Sequence, residues 1–313
     1  MVLIVKRFWP EGLLIDTPEN KISLHSPLSL ADAYAKKYIL EAVAAVCDTD
    51  HNLIVDFGFM KGIIPREECA LGIADGTVRD IAIISRVGKE VCFVVNSMEL
   101  DKNGRPLAVL SRREAQQRCH NDYISTLQPG DVIEARVTHL EPFGAFCDIG
   151  CGIVSLLPID AISVSRISHP SDRLTTGEVI RVIVKSIEDG RITLSHKELL
   201  GTWEENAELF SQGETVSGIV RSVEDYGIFV ELTPNLAGLA EPKEGVKPGQ
   251  IASVYIKSII PEKMKVKLII IDAFQKDYTK ESIKYFYEDD YMDHWLYSPE
   301  VCEKKIESIF CTD

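Results

Sequence analysis

The sequence predicts a mainly β protein: three tandem five-stranded barrels with short linking helices and a partly helical C-terminal tail. Three observations predict it. A module is written twice, Gly130-Asp131-Val132-Ile133 leading to Phe143-Gly144-Ala145-Phe146 and Gly213-Glu214-Thr215-Val216 leading to Tyr226-Gly227-Ile228-Phe229. The opening glycine precedes the aromatic turn by 13 residues in both (143 minus 130, 226 minus 213), and the copies are offset by 83 (213 minus 130). A fixed offset of that kind marks duplication of a structural unit. Within each copy, short runs alternate apolar and polar side chains between glycine turns, the pattern of half-buried strands. Short strands with one longer connection after the third fit a small closed barrel, whose closure removes exposed edges.

The elements follow in order. Residues 1–37 form an N-terminal arm with a short helix opening at Ser29 or at Ser26-Pro27, proline being pre-shaped for a first helical turn. Residues 38–113 are a divergent first barrel, with strands at 39–46, 53–58, 60–65, 79–87 and 90–96. There Val55-Asp56-Phe57-Gly58 lines up with Cys147-Asp148-Ile149-Gly150, while the aromatic turn is replaced by Asp48-Thr49-Asp50-His51. A linker helix spans 114–128. The second barrel, 129–198, opens with Ile133, Ala135 and Val137 on one face of a strand and Glu134, Arg136 and Thr138 on the other. Its later strands are 145–149, 153–157, 179–187 and 191–195, the last two joined at Glu188-Asp189-Gly190. A second linker helix, within 199–212, is capped by Thr202 with Glu205 three residues on. The third barrel, 213–272, repeats the pattern with strands at 216–223, 228–232, 236–240, 251–259 and 265–271. Residues 273–313 form an acidic, aromatic tail, expected to be partly helical.

Composition narrows the function. The 313 residues are 45% hydrophobic and 26% charged, values of a globular protein. No apolar run is long enough to span a bilayer and the N-terminus is wrongly ordered for a signal peptide, so a cytoplasmic location is expected. Eight scattered cysteines argue for reduced thiols. Cys147 and Cys151, with His139 or His169, lack the paired spacing of a zinc site and read as core or turn residues. No phosphate loop, dinucleotide fingerprint or nucleophile motif is present, so neither catalysis nor a cofactor nor a metal is expected. The net charge of −14 runs against the usual basicity of nucleic-acid binders.

The repeat resembles the RNA-binding repeat of the bacterial ribosomal protein S-one family. The residues that carry the resemblance are Phe143 to Gly150, Leu156-Leu157-Pro158-Ile159 and Arg191-Ile192-Thr193-Leu194-Ser195 in the second module, with a good match in the third. The first module is similar to divergent N-terminal repeats of that family through Gly62-Ile63-Ile64-Pro65-Arg66-Glu67-Glu68 and Val109-Leu110-Ser111-Arg112-Arg113-Glu114-Ala115, so the resemblance runs from about 38 to 272. It implies an oligonucleotide-binding (OB-fold) barrel whose open face carries two aromatics, a histidine and an arginine. Those positions are Phe143, Phe146 and Arg191 in the second module, where Pro158 stands at the histidine position. In the third they are Tyr226, Phe229 and Lys265, with Glu241 in place of the histidine, a carboxylate that repels phosphate and ranks this module below the second.

Exposed aromatics stack bases of any identity, each stacked base being worth about 1–3 kcal/mol, while cations follow the backbone. Arg136, Arg181, Lys185 and Arg191 are expected to line one positive groove of the second barrel, and Arg221 joins Lys265 as a cation of the third. The aromatic turns have a second use, packing the barrel rim, and the cations a second use, pairing with Glu188 and Glu262. The expected function is therefore non-catalytic binding of single-stranded RNA, mRNA on the small ribosomal subunit by the resemblance, with the first barrel making protein contacts there. The alternative is a protein-interaction scaffold whose nucleic-acid faces have decayed.

Overall fold

The computed structural model describes residues 8–275 and 282–310. The first seven residues of the arm and Cys311 lie outside them. The chain packs as two compact units, Met1–Leu127 with Asp148–Val154, and Gln128–Cys147 with Ser155–Asp313.

In the first unit, α1 (Pro18–Ser23) and α2 (Pro27–Lys36) precede a barrel. Ser26 caps α2 and Pro27 sits in its first turn, as the Ser-Pro pair predicts. The barrel consists of β1 (Leu40–Cys47), β2 (Leu53–Asp56), β3 (Lys61–Ile64), β4 (Glu90–Leu100) and β5 (Pro106–Ser111), closed in the order β1-β2-β3-β5-β4. Leu53, Val55, Ile64, Phe93 and Leu110 fill it, and Leu30 of α2 packs against that core. The segment expected as a fourth strand, 79–87, is instead helical: α3 (Ile81–Ile84) makes the bonds Ile84 N–H to Asp80 O and Ser85 N–H to Ile81 O at 3.1 and 3.0 Å. Ile83 is buried while Ile81 and Ile84 are exposed, so one apolar contact over the barrel mimics strand alternation in the sequence. The segment expected as the fifth strand is therefore the fourth, and Pro106–Ser111 closes the barrel. After it comes α4 (Arg112–Asp122), capped by Ser111.

The arm is fixed by buried charge. Burial alone would raise Glu11, but the Arg112 guanidinium, 2.6 Å away, outweighs it and holds the carboxyl below its usual range. Burial pushes Glu41 up to about 7, although the N–H groups of Gly12, Leu14 and Ile15 all donate to it.

The second unit holds two closed barrels. One is β6 (Val132–Glu141), β7 (Gly144–Gly150), β8 (Ile153–Pro158), β9 (Val179–Glu188) and β10 (Arg191–Ser195), the tip of its β7–β8 hairpin belonging to the first unit. The other is β11 (Thr215–Glu224), β12 (Gly227–Thr233), β13 (Leu236–Ala240), β14 (Ile251–Ile260) and β15 (Lys265–Phe274). Between them α5 (Trp203–Ala207) carries the capping box of Thr202 and Glu205. The described part of the tail is not helical: it forms the antiparallel pair β16 (His294–Leu296) and β17 (Glu307–Ile309). Trp295 and Tyr297 are buried in the unit's core, a period of two that a helix cannot present to one side. Among the described residues, no helix is long and apolar enough to cross a membrane.

Candidate nucleic-acid interface

The aromatic-Gly-x-aromatic turn is built by sterics. A Cβ on Gly144 would lie 2.5 Å from the Leu157 carbonyl oxygen, and one on Gly227 would lie 2.6 Å from that of Ala240. Only glycine lets the second strand of each barrel come this close to the end of the third. The turn closes with the Ile159 N–H donating to the Phe143 carbonyl at 3.0 Å. The flanking aromatics emerge on the outer surface in matching geometry. Phe143 and Phe146 meet edge to face at 6.0 Å and 88°, Tyr226 and Phe229 at 6.2 Å and 86°. Phe143 is 55% and Tyr226 69% exposed, with Phe146 and Phe229 half-buried beneath them. An edge-to-face pair holds the inner ring upright and leaves apolar surface to solvent.

Strand pairing carries each inner aromatic into a row. In the last barrel Ser222 faces Phe229, Phe229 faces Leu239, Leu239 faces Lys267, and Lys267 faces Ser258. In the middle barrel Leu156 faces Thr193, which faces Ser186. Leu156 and Phe146 occupy the same places in their barrel as Leu239 and Phe229, since 239 minus 156 and 229 minus 146 are both 83. The same offset sets exposed His139 at the position of Ser222, beside Phe146, with its Nε2 2.8 Å from Glu141. An imidazole thus returns to a face that carries Pro158 at the family's histidine position.

A β-bulge adds one lysine to each row. Pairing skips Lys185 between the Ser186–Thr193 and Val184–Leu194 pairs, and skips Lys257 between the Ile256–Leu268 and Ser258–Lys267 pairs. Both lysines are exposed at the edge of the row. The last barrel therefore shows Lys257, Lys265 and Lys267 beside its aromatics. Glu241 is exposed and stands 4.0 Å from the Lys257 ammonium, so its charge is in part answered. The middle barrel shows Lys185 and Arg191, the latter facing Glu188 across the hairpin. Lys257, Lys267 and His139 escape sequence reading because only the register and the bulges bring them to the aromatics.

The expected groove of four cations does not assemble. The Arg181 guanidinium donates to the carbonyl oxygens of Tyr287, Glu288 and Asp289 at 2.5, 2.9 and 2.8 Å, which commits it to the tail. Arg136 donates to the Gly177 carbonyl at 3.3 Å. Arg221 is likewise engaged, its Nε 2.7 Å from Glu231, a carboxylate that Arg173 also grips through two 2.7 Å contacts. Burial alone would raise Glu231, but the two guanidinium groups outweigh it and hold the carboxyl below its usual range.

Residues 126–197 match the S1 (S-one) RNA binding domain family. The chain is 30% identical over 250 residues to the small ribosomal subunit protein bS1 of Staphylococcus epidermidis, covering 74% of this chain and 61% of that protein. It is 32% identical over 237 residues to bS1 of Staphylococcus saprophyticus, covering 70% and 58%. The chain thus spans about three-fifths of the length of these relatives. Among solved structures, a multidomain protein with nucleic acid binding domains from Streptococcus pneumoniae aligns over 75% of this chain and 74% of its own, at 15% identity and a TM-score of 0.25. Residues 126–197 thus belong to the S1 RNA binding domain family, and the chain is similar to bS1 over about seven-tenths of its length.

Proposed function

We propose that the chain binds single-stranded RNA, without catalysis, on the aromatic rows of its middle and last barrels, and that it acts on mRNA at the small ribosomal subunit. The observation that carries this reading is the matched pair of edge-to-face aromatics, each heading a row that ends in cations. Bases stack on the exposed rings, Leu156 and Leu239 extend the apolar floor, and Lys185 with Arg191, or Lys257 with Lys265 and Lys267, meets the phosphates. The net charge of −14 denies the protein long-range attraction, so binding is weak and falls steeply with salt.

The first barrel is proposed to make protein contacts on the subunit. Its turn is polar and self-contained, the Asp48 carboxylate accepting the N–H groups of Asp50 and Asn52 at 2.9 and 2.8 Å. Val43, Val46, Ile81, Ile84 and Val87 are exposed in the same barrel, a protein-binding rather than a phosphate-binding chemistry. Photo-crosslinking of 4-thiouridine-substituted oligo-U to the intact protein tests the assignment. Adducts are expected on the peptides holding Phe143 to Phe146 and Tyr226 to Phe229; adducts confined to the first barrel or the tail would overturn it.

A further inference from the structure

An extended segment of the tail, joined to β6 by one isolated bridge, covers one side of the middle barrel. Tyr285 Oη accepts the Arg181 backbone N–H at 2.9 Å, and its ring stands edge-on to His196 at 5.7 Å. Farther along, the Val132 N–H donates to the Asp290 carbonyl at 2.8 Å and the Met292 N–H to the Gly130 carbonyl at 2.9 Å, with Asp131 bridged to Tyr291. The covering segment, Tyr285-Phe286-Tyr287-Glu288-Asp289-Asp290-Tyr291, is aromatic and acidic. Gly130, Val132 and Ile183 of this side are buried.

Among the described residues, the corresponding side of the last barrel is open. The offset of 83 converts Gly130-Asp131-Val132 into Gly213-Glu214-Thr215, all three exposed. Register finds the counterpart of Ile183: Val132 pairs with Ile183 as Thr215 pairs with Tyr255, and Tyr255 is exposed. Tyr255 faces Ile269, itself 43% exposed, and Ile271, next on the same face of β15, is 53% exposed. Tyrosine and two isoleucines thus lie in water beside a strand edge whose counterpart in the middle barrel is paired.

The charge around them differs in a telling way. Ser253 stands two residues before Tyr255, where Arg181 stands two before Ile183, so the arginine that grips the tail has no counterpart. Lys265 and Lys267 continue the outer face of β15 from Ile269, and Lys257 lies two residues from Tyr255. We propose that this side of the last barrel docks an extended, acidic, aromatic segment of a partner protein, seated as the tail is seated on the middle barrel. The exposed edge at 213–215 supplies main-chain pairing, Tyr255, Ile269 and Ile271 receive the aromatic side chains, and the lysines answer the carboxylates. The assignment does not depend on RNA binding.

A labelled peptide with the sequence of residues 284–293 serves as the probe, titrated into the intact protein and followed by fluorescence anisotropy. Saturable binding is expected, weakened by salt and by about tenfold or more in each of Tyr255→Ser and Ile271→Asp, as for a central apolar anchor. Both variants are expected to bind oligo-U as the wild type does, which separates the Tyr255–Ile271 anchor from the RNA row with which the site shares its lysines. The proposal is overturned if the peptide does not bind, or if both variants bind it as tightly, the result of mere exchange with the resident tail. It also fails if light scattering finds a dimer that Ile271→Asp dissolves, since the occupant is then a second copy, or if the two variants lose oligo-U affinity instead.

Discussion

Replacing Glu231 by glutamine removes the carboxylate around which two arginines are arranged. The Glu231 side chain is 4% exposed, that of Arg173 9% and that of Arg221 14%, so water cannot take over the lost interaction. Four nitrogen-oxygen contacts of 2.7, 2.7, 2.7 and 3.1 Å now satisfy it. Glutamine keeps one acceptor oxygen and turns an amide donor toward guanidinium donors. Breaking a buried pair of this kind costs about 3–5 kcal/mol. The lower end is expected here, because Asp172 remains 3.7 Å from Arg221. Urea unfolding followed by tryptophan fluorescence reads the effect, since Trp203 and Trp295 are both buried in this unit's core. With a slope of about 1–3 kcal/mol per molar, a loss of about 3 kcal/mol lowers the midpoint by about 1–3 M. A midpoint that does not move would refute the reasoning, showing that the cluster is solvated and that Arg221 is free to serve elsewhere.

Other outcomes follow from the same contacts. His196 is fully buried, with Nδ1–H donating to the Ile162 carbonyl at 2.9 Å, and burial lowers its pKa to about 4. The unfolded chain takes up that proton near 6.5, so the second unit loses stability as pH falls from 6.5 to 4, by up to about 3 kcal/mol; thermal unfolding of His196→Gln is expected to lack this slope. Glu41, raised to about 7, acts with the opposite sign: the first unit loses stability as pH rises from 4.5 to 7, and Glu41→Gln flattens that dependence in hydrogen exchange of the 11–15 segment. Gly144→Ala places a Cβ 2.5 Å from a backbone oxygen that cannot yield, and is expected to cost about 1–3 kcal/mol and to loosen oligo-U binding by displacing Phe143; a wild-type melting temperature would contradict this.

The barrels are legible in the sequence because their signals are local. Strand alternation, the glycine forced by the 2.5 Å approach at Gly144 and the Thr202–Glu205 capping box each lie within a few neighbouring residues. The segment 79–87 misleads because Ile81 and Ile83 imitate a period of two, whereas only Ile83 finds the core. The tail misleads in the other direction: aromatic-rich but non-periodic at its start, it is held by contacts to Arg181 and Val132 far away in the chain. The same distance explains the cations. Arg181 and Arg221 read as free on polar strand faces, and their partners, the tail carbonyls and Glu231, become visible only on folding. Lys257 reaches the aromatic row through a bulge and Lys267 through its register with Leu239, neither of which an alternation pattern encodes.

Stacking on both rows is tested most directly by titrating labelled oligo-U at low salt into the wild type, Phe146→Ala, Phe229→Ala and the double variant. Loss of one stacked base at about 1–3 kcal/mol predicts that each single change weakens binding about tenfold, and the double change more than either. The wild type is expected to lose affinity with salt at a log-log slope of about 0.7 per phosphate contact. A double variant that binds oligo-U as tightly as the wild type would contradict RNA binding on these rows.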